Sequence, residues 1–186
     1  MRVISGVHKG RPIKPVPNQL TRPTTDKVKE ALFQMIGPYF NGGSCLDLFA
    51  GSGSLGIEAL SRGMEQAIFV DKQPKAVKII HENLQLLHLE NQSEVFCTDG
   101  FRAIKAAAKR GLTFDLIFLD PPYHKISYEK LLDQLAENQL LSEKGIIVCE
   151  HDANMSLPSS YISYEKMKSA TYANSTTITL FARKEL

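Results

Sequence analysis

Cys45-Leu46-Asp47-Leu48-Phe49-Ala50-Gly51-Ser52-Gly53-Ser54-Leu55-Gly56 runs from an apolar strand-like stretch through a glycine-rich turn into a helical pattern. Its three glycines satisfy G-x-G-x-x-G, and Asp71 follows Gly51 by 20 residues at the end of the next apolar run. A strand, a tight glycine turn and a helix in that order are the start of a βαβ unit, so the rest of the chain is expected to continue the alternation. By spacing alone the loop also fits a nicotinamide dinucleotide.

Outward from this stretch the alternation holds. Apolar runs predict strands at about 44–49, 66–71, 93–98, 114–119 and 145–150, with helices at about 54–63, 74–88, 100–110 and 127–139 between them. Apolar strands joined by helical crossovers imply a mostly parallel sheet with both faces covered. After Leu157-Pro158, strand candidates at 161–167 and 176–183 are close enough to pair antiparallel. Before the alternation, residues 1–20 read as a small hairpin or extended arm. Thr24-Thr25-Asp26 then caps a helix carrying Val28, Ala31, Leu32, Met35 and Ile36, stopped by Gly37-Pro38. The expected architecture is α/β: a Rossmann-like doubly wound, mostly parallel seven-stranded sheet with a C-terminal antiparallel hairpin, plus a small N-terminal β arm and helix. At 186 residues a single domain, 1–186, is expected, with 1–40 as its N-terminal extension.

Composition is that of a soluble protein, 43% hydrophobic and 23% charged, without an apolar run near the ~20 residues of a membrane span. A cytoplasmic location is expected. Cys45, Cys97 and Cys149 lack metal or redox spacing and read as reduced core residues, and the five histidines are scattered. No metal site is expected. The net charge of +2 is unevenly placed. Residues 1–30 carry Arg2, Lys9, Arg11, Lys14, Arg22, Lys27 and Lys29 against Asp26 and Glu30, a net +5 set against −3 for the remainder. A basic arm on a mildly acidic body suggests a polyanionic partner.

In a doubly wound sheet, ligands bind beyond the carboxyl ends of the strands. Asp47 puts a carboxylate where a dinucleotide would carry its pyrophosphate, and like charges there oppose binding. S-adenosylmethionine has no phosphate, so its ammonium end suits Asp47, its ribose diol suits Asp71 and its adenine edge suits Asp99. The glycines let the backbone approach closely. Capping a helix is an equal alternative for Asp99, and Glu58 inside the second helix has a structural or a cofactor role open to it.

Asp120-Pro121-Pro122-Tyr123 follows the fourth strand. The two prolines have no backbone N–H, so they and Asp120 offer acceptors and hardly donate. Tyr123 is placed to lay a ring against a flat partner. A rigid turn is the competing explanation of Asp-Pro-Pro in isolation; beside the glycine loop, the motif suits a planar NH2 group such as a nucleobase amine.

Together these segments resemble the class I S-adenosylmethionine-dependent methyltransferases, with 47–56 as glycine-rich motif, Asp71 as ribose acid and Asp120–Tyr123 as the motif of amino methylation. Arg2-Val3-Ile4-Ser5-Gly6, Lys9-Gly10-Arg11 and Thr21-Arg22-Pro23-Thr24-Thr25-Asp26-Lys27-Val28-Lys29-Glu30-Ala31-Leu32-Phe33 go further and resemble the RsmD family, which methylates a guanine N2 in small-subunit (16S) ribosomal RNA. The resemblance runs over essentially the whole chain, though no sharp motif follows Glu150. It implies cofactor contacts from Asp47, Phe49, Ala50, Gly51, Ser52, Gly53, Asp71, Lys72, Asp99 and Thr24. It implies catalytic roles for Asp120, Pro121, Pro122 and Tyr123, and RNA contacts from Arg2, Lys9, Arg11, Lys14 and Arg22. Its implied partner is 16S rRNA in an assembling small subunit, with neither DNA nor membrane. A DNA adenine-N6 enzyme, a protein glutamine methyltransferase and a non-catalytic RNA-binding assembly factor are the alternatives that the motifs leave open.

Overall fold

The computed structural model describes residues 1–17 and 25–185, in two compact units, 1–100 and 101–186. In the first, Val3 and Ile13 are buried although the segment around them is polar. They anchor a short hairpin in which Val3 N–H donates to the Arg11 carbonyl (2.9 Å) and Gly10 N–H to the Val3 carbonyl (2.8 Å). Helix α1, Asp26–Ile36, starts where the Thr25 hydroxyl accepts the Val28 N–H and ends at Gly37, burying Val28, Leu32 and Phe33.

Strands β1 (Ser44–Asp47), β2 (Gln66–Asp71) and β3 (Ser93–Cys97) pair in parallel, linked by α2 (Ser54–Ser61) and α3 (Pro74–Leu86). Asp47 pairs with Phe69, so β2 runs two residues further and carries Asp71 past the end of β1. All eight residues of α2 are buried. A Cβ on Gly56 would lie 2.4 Å from Phe69 Cε1, so only glycine lets α2 sit this close to β2.

The second unit holds most of α4 (Gly100–Lys109), then β4 (Phe114–Leu119), α5 (Tyr128–Glu137), β5 (Leu141–Asp152), β6 (Tyr164–Tyr172) and β7 (Thr176–Arg183). β4 and β5 are parallel, with Leu119 opposite Cys149, while β5–β7 and β6–β7 are antiparallel. Ala173 and Asn174 both have positive φ, and Ser175 N–H closes on the Tyr172 carbonyl. That is a type I′ turn, whose twist suits a tight hairpin. The strands run in the order β3-β2-β1 in the first unit and β4-β5-β7-β6 in the second, mostly parallel with an antiparallel C-terminal hairpin, as the expected α/β fold class requires.

Three expectations change. β5 begins at Leu141 rather than 145, because Leu141 is buried and pairs with Phe114 ahead of a register shift. β6 spans 164–172 rather than 161–167, its register set by pairing with β7. Cys97 is exposed, since β3 is an edge strand with little cover, whereas Cys45 and Cys149 are core residues. Among the described residues no helix is long and apolar enough to cross a membrane.

Candidate functional site

In the first unit the glycine loop follows β1 and opens α2. Gly53, at φ 85°, takes the left-handed conformation that lets the chain enter the helix. Gly53 has no side chain with which to cap α2, and Asp47 does so from the strand: Asp47 Oδ2 accepts the Gly56 N–H at 3.1 Å. Asp47 is buried, and burial pushes its carboxyl up to about 7 against the pull of that N–H, with the Asp71 charge adding to the rise. A buried carboxyl poised near neutrality becomes fully ionised when a cation arrives beside it.

Asp71 stands at the end of β2, half-buried. Its Oδ2 accepts the Gly51 N–H and its Oδ1 the Gln73 N–H, each at 2.9 Å. Both oxygens are therefore oriented by the backbone and retain lone pairs for further donors. Two oriented carboxylates around a glycine turn, with no basic side chain among the residues forming these contacts, match a cofactor with a diol and an ammonium better than one with a pyrophosphate. Lys72 is exposed, Phe49 half-buried, and Ala50 and Ser52 line the buried side of the loop. Asp99 directly precedes α4 and is half-buried. Thr24 and Arg22 lie outside the described residues.

Glu58 is fully buried, and its role is structural. Oε1 accepts the Ser5 N–H (3.0 Å) and Arg62 Nε (2.9 Å), and Oε2 accepts the Ile4 N–H (2.9 Å) and faces Lys29 Nζ at 3.6 Å. Lys29 Nζ also donates to the Arg2 carbonyl (2.6 Å) and Ser54 Oγ (3.0 Å). Lys29 therefore belongs to the core, and the basic arm is one charge weaker toward solvent than its sequence implies. Burial lowers the Lys29 pKa while Glu58 and Asp26 raise it, so the ammonium depends on its partners.

Of the arm residues, Arg2 pairs with Asp26 (3.0 Å) and Lys14 with Glu82 (3.2 Å), both in exposed positions. Arg11 Nη2 donates to the Leu86 carbonyl at the end of α3 (2.9 Å), and Lys9 is exposed. The arm lies on its own unit with these cations along it.

In the second unit, Asp120 leaves β4 half-buried, Pro121 is buried and Pro122 half-buried, its carbonyl accepting the Lys125 N–H (3.3 Å). Tyr123 is 43% exposed. Burial and the charge of Glu150 raise its pKa above the usual phenol value. Behind the motif, the Tyr128 hydroxyl donates to the Glu150 carbonyl, and His151 Nε2 meets Thr179 Oγ1 at 2.8 Å. Thus β7 of the C-terminal hairpin, which carries no motif in sequence, is tied through Thr179 to His151 of β5.

Sequence patterns do not single out Asn83. It is buried in α3, donates through Nδ2 to the Ser52 carbonyl (2.9 Å) and the Lys14 carbonyl (3.0 Å), and accepts the Lys14 N–H (2.8 Å). Its one signal is an amide side chain on the apolar face of an amphipathic helix, with Ile80 and Leu84. Among the described residues no His, Cys, Asp and Glu cluster could hold a metal ion.

Strand order and motif positions define a Rossmann-like methyltransferase. The chain belongs to the RsmD family, whose model, described as "Conserved hypothetical protein 95", matches residues 1–182. It is 53% identical to "Putative rRNA methyltransferase YlbH" of Bacillus subtilis, over 92% of this chain and 94% of that one. Identity to "Ribosomal RNA small subunit methyltransferase D" of Haemophilus influenzae is 36%, over 84% of this chain and 81% of the relative. A solved structure described as "Putative methyltransferase yhhF from Escherichia coli" superposes with a TM-score of 0.85 at 30% identity, covering 99% of this chain and 98% of that one.

Proposed function

We propose that this protein methylates the exocyclic N2 amine of a guanine in small-subunit (16S) ribosomal RNA, using S-adenosylmethionine, in the cytoplasm and on an assembling subunit. The observation that carries the reading is Asp120-Pro121-Pro122-Tyr123 leaving the carboxyl end of β4 with the Tyr123 ring exposed. The names of the relatives support ribosomal RNA as substrate.

S-adenosylmethionine supplies an electrophilic methyl group when bound. Asp71 would accept from its ribose hydroxyls, Asp47 would meet its ammonium end directly or through water, and Gly51–Gly53 would lie against it. Phe49, Ala50, Lys72, Asp99 and Thr24 are proposed to complete its surroundings. On the acceptor side, guanine N2 is a weak nucleophile because its lone pair is delocalised into the ring. The Asp120 carboxylate and Pro121 carbonyl would accept its two N–H groups, favour a pyramidal nitrogen and stabilise positive charge as it develops there. Tyr123 would stack on the base, worth about 1–3 kcal/mol. Arg2, Lys9, Arg11, Lys14 and Arg22 would hold RNA phosphates, which position the substrate without reading its sequence.

Mass spectrometry of 16S rRNA nucleosides tests this directly. Cells lacking the protein should lose one N2-methylguanine, restored by the wild-type gene but not by Asp120→Ala, whose product should still bind the cofactor. An unchanged nucleoside profile, or full restoration by Asp120→Ala, would rule the assignment out. Asp71→Ala should instead weaken cofactor binding by about 1.5–3 kcal/mol, the scale of a hydrogen bond to a charged group.

A further inference from the structure

The glycine loop is tied to the N-terminal arm through buried side chains that serve both. The peptide joining Ser52 and Gly53 is held on each side: the Ser52 carbonyl accepts from Asn83 Nδ2 (2.9 Å), and the Gly53 N–H donates to the Ala50 carbonyl (2.8 Å). Because a peptide group is planar, fixing its two polar atoms fixes the orientation of the turn. The same Asn83 amide grips the backbone of Lys14 at both its N–H and its carbonyl. One residue further along the loop, Ser54 Oγ accepts from Lys29 Nζ, which also holds the Arg2 carbonyl. Glu58, facing Lys29, takes the N–H groups of Ile4 and Ser5. Backbone groups of the arm thus share buried side chains with Ser52 at the loop and Ser54 at the start of α2.

We propose that Asn83 is a positioning residue for the glycine loop and that, through it and Lys29, cofactor binding at the loop orders the arm, and docking of the arm strengthens cofactor binding. The inference rests on the reading of the loop as a cofactor site. The arm is also the segment proposed to meet RNA phosphates, so the two ligands of the reaction would bind with positive coupling, each raising the other's affinity by the same factor. Asn83 touches neither ligand in this scheme. A buried amide with three backbone partners can transmit order because losing one end leaves a polar group without water.

Amide hydrogen exchange on the wild-type protein, with and without S-adenosylmethionine, reads the coupling. Cofactor should slow exchange at Ile4, Ser5 and Lys14 as well as in the loop. In Asn83→Ala the loop should still be protected while the Lys14 amide is not, and cofactor Kd by calorimetry should rise about fivefold to tenfold, the equivalent of one ordinary hydrogen bond. Cofactor binding by the wild type with no change of exchange at the arm overturns the inference and leaves the cofactor reading standing. So does a folded Asn83→Ala protein that matches wild type in both measurements. A wild-type chain that does not bind the cofactor overturns both. Should Asn83→Ala fail to fold, the wild-type exchange comparison alone decides.

Discussion

Asp47 carries a proton equilibrium that a motif search does not register. Its carboxyl is held near 7 in the folded chain and falls to the ordinary carboxylate value when unfolded, so the folded state binds the extra proton between those limits. Stability contributed by this group is therefore greatest in acid and is lost as pH rises from about 4 through about 7. Asp47→Asn should remove the penalty. At pH 8 the variant is expected to resist urea better than wild type, by on the order of a few kcal/mol, with the two curves converging toward pH 4. Cofactor affinity should move the other way, weaker in the variant, and in wild type should fall as pH drops below 7. A wild-type affinity flat from pH 8 to 5.5 would deny Asp47 the ammonium role. Asp71 and Asp120 were legible because residues at strand ends are defined by the hydrophobic pattern before them. Asn83 and Lys29 were not, because their partners lie 25 or more residues away in sequence and their burial depends on packing that no local pattern encodes.

Helix α2 shows what an element can conceal. Its residues read as an ordinary short helix with one charged position, yet every side of it is buried, and Glu58 is compensated by Lys29, Arg62 and two arm amides. Arg62 also stacks over Phe33, its guanidinium carbon 4.8 Å from the ring centre, and donates to the Pro38 carbonyl. Removing the carboxylate would strand two buried cations. Glu58→Ala is expected to cost about 3–5 kcal/mol, as for other broken buried pairs, in equilibrium denaturation; a loss under about 1 kcal/mol would mean the cluster relaxes into water. The elements themselves were readable from alternation and from glycine and proline punctuation, and β2, β4 and β7 match their expected bounds. The displaced edges of β5 and β6 were not readable, since strand ends are set by partners rather than by intrinsic pattern.

Across the whole molecule, the sequence placed its positive charge at the N-terminus, and folding redistributes what that charge can do. Lys29 is held inside the core, whereas Arg2 and Lys14 sit in exposed ion pairs worth at most about 1 kcal/mol, which a phosphate can displace. Replacing Arg11 and Lys14 by alanine should therefore lower RNA affinity and flatten its dependence on salt. The logarithmic slope should fall by about 0.7 for each phosphate of single-stranded RNA that is no longer neutralised. Lys29→Gln should instead lower stability and leave the slope of the folded protein unchanged. Filter binding across a salt series separates the two, and a slope indifferent to Arg11 and Lys14 would remove the arm from the RNA interface. The cysteines have a practical consequence of a different kind. Cys45 and Cys149 are sealed in the core, while Cys97 ends the edge strand β3 directly opposite Asp71. A thiol-reactive fluorophore should thus attach once to the native protein and three times after unfolding. The single native label would stand beside the proposed ribose carboxylate, making the unaltered protein its own optical reporter of cofactor occupancy.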